Sequence, residues 1–307
     1  MKRVPVKLDT NMVGQRRLSR RACLRAIAAT ATANLMAATA TPGRPVGVRL
    51  YAVRAALKKD PDRTLRALAE IGFKEVEGYN RLETLALAPK LKQYGLNVRS
   101  CQVETPLLTG FWDPYPELKQ VALPEAADSL AGASVEYFTM GYISSGARED
   151  NDDFFRRTAD RMNVAAELCR KAGLRFAWQN HAFEFGGRPG RRPIDTYKQR
   201  LDPKLVELEL SVFWASVAGQ DPLQLLKEWK GHVPLLHLND KAKDAPRQFS
   251  ENIVFGAFEE TGSGDIDFAA ILKAAAAGGV RFQFTGQDET LGDPIESLRR
   301  SYAYFNR

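Results

Sequence analysis

Histidine and cysteine are scarce in this chain, with three of each among 307 residues. Three histidines, His181, His232 and His237, are too few for the histidine-rich multi-zinc centre of a metal nuclease. Three cysteines build no disulfide framework: Cys23 lies near the start, and Cys101 and Cys169 fall on different predicted elements, where both read as small buried hydrophobes. No run of apolar residues is long enough to span a bilayer. An excess of one charge is also missing from most of the chain. The net charge of +7 belongs to residues 1–40, which hold eight Lys/Arg and one acid, and the rest is neutral, which excludes a basic nucleic-acid footprint. What is present is an ordinary 44% hydrophobic, 26% charged composition, able to bury a large core.

The basic leader has its own pattern. Ser19-Arg20-Arg21-Ala22-Cys23-Leu24-Arg25 precedes a small, weakly apolar run from Ala26 to Ala40 that ends Ala38-Thr39-Ala40. This resembles a twin-arginine export signal with its cleavage site, implying a periplasmic or secreted protein; a disordered basic tail is the plainer alternative. Residues 41–46 then read as a linker and 47–307 as the folded body.

From Gly47 on, strand-like and helix-like stretches alternate. Strands are expected at 47–54, 74–79, 97–104, 135–143, 174–181, 206–215, 233–240 and 281–288. Helices begin at Asp60-Pro61, Asp221-Pro222 and Asp293-Pro294, where aspartate caps exposed N–H groups and proline tolerates the first turn. The helix from Asp153 to Ala172 carries Phe155, Ala159, Met162, Ala166 and Cys169 on one face. Eight strands each followed by a helix, with no hairpin signal, predict an α/β fold, a single (β/α)₈ TIM barrel.

In such a barrel the C-terminal strand ends meet around one mouth. Val233 to Asp240, VPLLHLND, is an apolar run with polar groups only at its far end, and it delivers His237 and Asp240 there. The other polar residues at predicted strand ends are Glu77, Gln102, Glu104, Gln179, Asn180, His181, Glu184, Ser211, Gln287, Asp288 and Glu289. Carboxylates and imidazoles around one cavity hold a divalent metal or work as an acid/base pair, although a strand alternates faces and about half of such residues point elsewhere. Tyr51, Trp178 and Trp214 are candidates to stack on a sugar face, and equally core residues. Gly262 and Gly264, ahead of a predicted helix, cradle a phosphate or simply make a turn.

The body resembles the sugar phosphate isomerase/epimerase family with its xylose isomerase-like barrel. The resemblance is carried by GVRLYAVR at Gly47, WQNHAFEF at Trp178, ELSVFWASVAGQDP at Glu209, LLHLND at Leu235, GSGDIDF at Gly262 and GQDE at Gly286. It implies a divalent metal, Mn, Mg or Zn, and proton transfer beside the carbonyl of a sugar, keto-sugar or polyol. The implied catalytic residues are Glu184, His181, Asp240 and Asp288. Substrate would be bound by Tyr51, Glu77, Gln102, Trp178, Gln179 and Trp214, and the metal by His237 with His181 or Glu184.

The chain departs from the family where relatives place metal ligands. Ser211 stands for an aspartate, Gly286 for a glutamate and Gln179 for a histidine, while Gln102 and Arg49 replace a histidine and a glutamine. Losing two carboxylates removes two negative charges from an ion's surroundings, so a weakened metal site is expected. A noncatalytic carbohydrate- or partner-binding barrel is therefore the competing expectation.

Overall fold

The computed structural model describes residues 45–112, 121–148, 152–253 and 256–307. The expected export signal and most of the linker lie outside the described residues. Among those described, no helix is long and apolar enough to cross a membrane.

Eight parallel strands close into a barrel. In chain order they are β1 (Gly47–Arg49), β2 (Glu75–Gly78), β3 (Asn97–Val103), β4 (Tyr137–Met140), β5 (Arg175–Gln179), β6 (Val206–Ser211), β7 (Leu235–His237) and β8 (Phe282–Thr285). Each pairs with its sequence neighbours, and β1 pairs with β8 to close the ring. The expected TIM barrel is the observed one. Helices follow each strand, among them α1 (Pro61–Ile71), α2 (Arg81–Gln93), α3 (Leu123–Gly132), α4 (Asp152–Lys171), α5 (Pro193–Arg200), α6 (Pro222–Glu228), α7 (Phe268–Gly278) and α8 (Pro294–Phe305).

Local chemistry accounts for these boundaries. The side chains of Asp60, Asp221 and Asp293 accept from Arg63, Leu223 and Ile295 N–H groups, with proline at the first helical turn each time. On α4, Ala159, Met162, Ala166 and Cys169 are buried as their spacing requires, but Phe154 is the more deeply buried of the two adjacent phenylalanines. Burying a side chain such as Met162 stabilises the fold by roughly 1.5–3 kcal/mol.

The predicted strands are shortened at their C-terminal ends. After Arg49 the chain turns into a 3₁₀ turn and a short helix, Arg54–Lys59. After Ser211 it turns into a helix, Val212–Val217, whose first turn Ser211 caps through the Trp214 N–H. A run of buried apolar residues such as Val212-Phe213-Trp214-Ala215 has no periodicity to distinguish strand from helix. The loop after β7 also contains an unexpected antiparallel ladder, Asp240–Lys241 with Phe258–Glu259.

Inside the barrel the side chains form layers. At the bottom, Arg99 pairs with Glu75 and Glu136, Arg281 with Glu136, and Arg175 with Glu207. Above them Tyr137, Ala177, Leu235 and Phe284 make a dry apolar plug. Two residues further along β4, β5 and β7, the period of a strand puts Thr139, Gln179 and His237 on the same inward face, and Glu209 of β6, opposite Gln179, joins them. This third layer is polar, and the site is built on it.

Candidate functional site

At the C-terminal mouth lies a cavity of about 490 Å³, lined by Arg49, Gln102, Gln179, His181, Trp214 and Asp288 among others. Tyr51 and Tyr79 pack edge to face on its wall. Six residues expected around one site, Tyr51, Gln102, Gln179, His181, Trp214 and Asp288, therefore converge on this cavity.

Its base is a chain of hydrogen bonds. Arg49 donates through Nη1 to Asp288 and to the Gly286 carbonyl, and its Nε lies 3.5 Å from Glu77. Burial alone would weaken the guanidinium's hold on its proton, but Asp288 and Glu77 reverse that and raise its pKa. Gln102 donates to Gln179 at 2.6 Å, and the Gln179 amide lies 3.0 Å from Nδ1 of His237. An amide thus covers the imidazole nitrogen nearest the mouth.

The other nitrogen faces inward. Nε2 of His237 lies 2.8 Å from Glu77 and 3.1 Å from Glu209, and all three residues are buried. Despite this closeness the N–H direction meets neither carboxylate squarely, so Nε2 and both Glu209 oxygens are buried without a hydrogen bond. Ser100 donates to the second Glu77 oxygen at 3.1 Å. Burial alone would raise Glu77, yet the His237 charge pulls it down; burial and the Glu77 charge push Glu209 up; and burial is outweighed at His237, which is raised. The three groups therefore titrate as one set, with Glu77 below its ordinary value and Glu209 and His237 above theirs.

These three residues fit a divalent ion. They offer one imidazole nitrogen and two carboxylates, with ligand atoms within 4.8 Å of one another, and the orphaned Nε2 and Glu209 oxygens are the donors a metal would use. A divalent ion there would displace protons that the three groups otherwise hold. The positions expected from the resemblance to supply ligands, Ser211 and Gly286, do not fit an ion: the Ser211 hydroxyl caps a helix, and Gly286 has φ +143° with Ala52 and Arg49 closing on the place a side chain would start. Among the described residues, neither His181 nor Glu184 belongs to the Glu77–Glu209–His237 group.

His181 lies on the wall between Tyr142 and Trp214, at ring distances of 5.0 and 5.6 Å. Burial, with the charges of Arg49 and His237, lowers its pKa to about 3, so the ring is neutral, and its Nδ1 has no partner. Glu184 lies behind it, accepting from the His181 N–H at 2.8 Å, and burial raises it to about 8.

Two further residues sit away from the mouth. Trp178 is fully buried against Tyr197 and Trp229 on the helical side of β5. Asp240 accepts from the N–H groups of Lys241, Gly262, Gly264 and Ile266, at 2.8–3.2 Å, and so ties down the glycine loop. Two loop N–H groups that a phosphate would need are thus bonded to Asp240, and a Cβ on Gly264 would collide with its carboxylate. The loop is a turn.

Glu209 is the residue sequence reasoning overlooked. Its signal was present: Glu207, Glu209 and Ser211 alternate along β6, so all three share the inward face.

A family model described as xylose isomerase-like TIM barrel matches residues 65–283. An inosose dehydratase of Clostridium botulinum is 22% identical over 266 residues, covering 79% of this chain and 88% of that protein. A sugar phosphate isomerase/epimerase structure from Parabacteroides distasonis superposes with a TM-score of 0.67 at 22% identity, covering 89% of this chain and 96% of that one. The 3-keto-D-glucoside 4-epimerase of E. coli gives 0.61 at 15% identity, with 85% and 98% covered. These relatives are sugar-modifying enzymes.

Proposed function

Since the chain belongs to the xylose isomerase-like TIM barrel family, we propose that it binds a small sugar, keto-sugar or polyol in the mouth of the barrel and moves a proton on the carbon beside a carbonyl. The observation that carries this reading is the Asp288 carboxylate, held by Arg49 on the cavity and still partly open to it, its side chain 19% exposed. The guanidinium fixes that carboxylate on the cavity wall, so its direction towards a bound substrate carbon is set before the substrate arrives. His181, kept neutral by burial, accepts a hydrogen bond from a substrate hydroxyl. Gln102 and Gln179 present amides to other hydroxyls, and Trp214 offers its ring to the apolar side of a sugar. A divalent ion, when bound by Glu77, Glu209 and His237, supplies a fixed positive charge just beneath these groups. The named relatives act on an inosose and on a 3-keto-glucoside, substrates of this kind.

One feature favours a second reading, binding without turnover. Ser211, Gly286 and Gln179 stand where the family's usual ligands would be, and none of them supplies a charge. Incubating the protein with ketoses and inososes in deuterated water, followed by NMR, separates the two. Loss of the proton beside the carbonyl supports proton transfer; binding by calorimetry with no exchange supports the noncatalytic reading; neither binding nor exchange refutes both. We also propose export through the twin-arginine route, on the strength of the Arg20-Arg21 motif, testable by locating the protein after Arg20 and Arg21 are replaced by lysine.

A further inference from the structure

The acids lining the cavity mostly have cations of their own. Asp288 is paired with Arg49, Glu104 with Arg81 at 3.3 Å, and Glu251 with Arg148 at 3.0 Å. Glu289 is exposed at the rim, where water screens it. Arg54 differs from the other cations of the cavity: among the described residues it has no carboxylate partner.

Its geometry is nonetheless defined. Nη1 donates to the Tyr51 carbonyl at 2.9 Å and to the Asp288 carbonyl at 3.1 Å, which uses both of that nitrogen's hydrogens. The guanidinium lies over the Tyr51 ring, 3.9 Å from its centroid. Two carbonyls and a ring face therefore hold the group in one orientation, and the edge formed by Nε and Nη2 makes no hydrogen bond to any described residue. That edge, unbonded among the described residues, matches two oxygens of a carboxylate or phosphate in a bidentate pair. A solvated surface arginine has no reason to be fixed in this way at both a ring and two carbonyls.

We propose that the cavity prefers a sugar bearing an anionic oxygen group, carboxylate or phosphate, and that Arg54 is the residue that selects it. This rests on the reading that the cavity takes a sugar. The pair forms inside a partly enclosed mouth, next to a guanidinium already ordered, so little orientational freedom is lost on binding. Asp288, immobilised by Arg49, stays beside the bound sugar without facing the anionic group unpaired.

Calorimetry with neutral hexoses and polyols, the matching hexuronates and hexose 6-phosphates tests this on the full chain. The anionic members are expected to bind at least about tenfold more tightly than their neutral parents at low salt, with acetate or inorganic phosphate competing according to which anion is preferred. In R54Q that ratio should fall towards one, while R54K keeps part of it, more for phosphate than for carboxylate. Thermal melting of both variants establishes that they fold, and competition by the small anions in the unaltered protein gives the answer independently of them. Equal binding of neutral and anionic sugars, or a ratio unchanged in folded R54Q, overturns the role of Arg54. Failure of the whole panel to bind the unaltered protein overturns the sugar reading itself, and this inference with it.

Discussion

Arg49 donates to Asp288 across 239 positions of sequence, from the end of the first barrel strand to just beyond the last. The pairing follows from barrel closure, since β1 lies beside β8 with Val48 opposite Thr285. Arg49 also stands 3.5 Å from Glu77, so one guanidinium balances an acid in the cavity and an acid beneath it. Replacing Arg49 with methionine keeps the bulk but leaves Asp288 without its cation and Glu77 with His237 alone. Breaking a buried pair in this way costs about 3–5 kcal/mol, because the surviving charge has no compensation. Urea unfolding should therefore give a clearly lower midpoint for Arg49→Met, with a smaller loss for Arg49→Lys. An unchanged midpoint would mean that water already compensates Asp288 and Glu77.

Ser211 and Gly286 stand where the family resemblance leads one to expect an aspartate and a glutamate, and the structure predicts that introducing these residues will have unequal effects. At Ser211 an aspartate can still cap the Trp214 N–H without backbone strain, so the cost of Ser211→Asp is that of a buried carboxylate alone and should shrink at acid pH, where the acid is neutral. At Gly286 the backbone has φ +143°, and a Cβ would meet Ala52 at 3.0 Å and Arg49 at 3.4 Å. Gly286→Glu should destabilise by about 1–3 kcal/mol or more through strain alone. The double variant is expected to melt lower than the single Ser211→Asp without gaining an ion at that position. Melting curves with and without manganese, run on all three variants, decide it.

The barrel was legible in the sequence because its signals are local and repeated. Asp-Pro openings, helical stripes and buried apolar runs each state their element, and eight alternations leave few ways to connect them. Strand ends were harder. Arg49 and Ser211 each end a strand by starting a helical turn within an apolar stretch, where no period changes. The site was legible by address more than by role. Gln179 and Asp288 line the cavity and His237 lies buried beneath it, but Asp240 also ends an apolar run, and only the structure reveals that it holds a glycine loop. Glu209 was missed because it lies two residues before the position the family draws attention to, one layer deeper in the barrel.

The Glu77–Glu209–His237 group makes a prediction about metals that is independent of any reaction. Zinc or manganese added to chelator-treated protein should raise its melting temperature, since an ion bound only by the folded state stabilises it by mass action. At a hundredfold excess over the dissociation constant the gain is about 2.7 kcal/mol. Glu209→Gln removes a ligand whose oxygens have no other partner, and should abolish the shift with little harm to the apo protein. Metal analysis of the untreated protein provides a second readout. A shift that survives Glu209→Gln would place the ion elsewhere.

His181 and Glu184 tilt the pH dependence of stability in opposite senses. The His181 ring drops from an ordinary 6.5 to about 3. Between those values the unfolded chain takes up a proton that the folded protein refuses, so this residue makes stability fall as pH drops from about 6.5 towards 3. Glu184 rises from 4.5 to about 8, so over that window the folded protein keeps a proton the unfolded chain releases, and stability falls as pH rises. Glu184→Gln mimics the neutral acid without titrating. It should unfold at higher denaturant than the unaltered protein near pH 8 and at nearly the same concentration near pH 4. The His181 N–H now bonded to Glu184 at 2.8 Å keeps an acceptor in the amide oxygen, so the comparison isolates the titration. Denaturation midpoints at several pH values would test it, and parallel curves for the two proteins would refute the assignment.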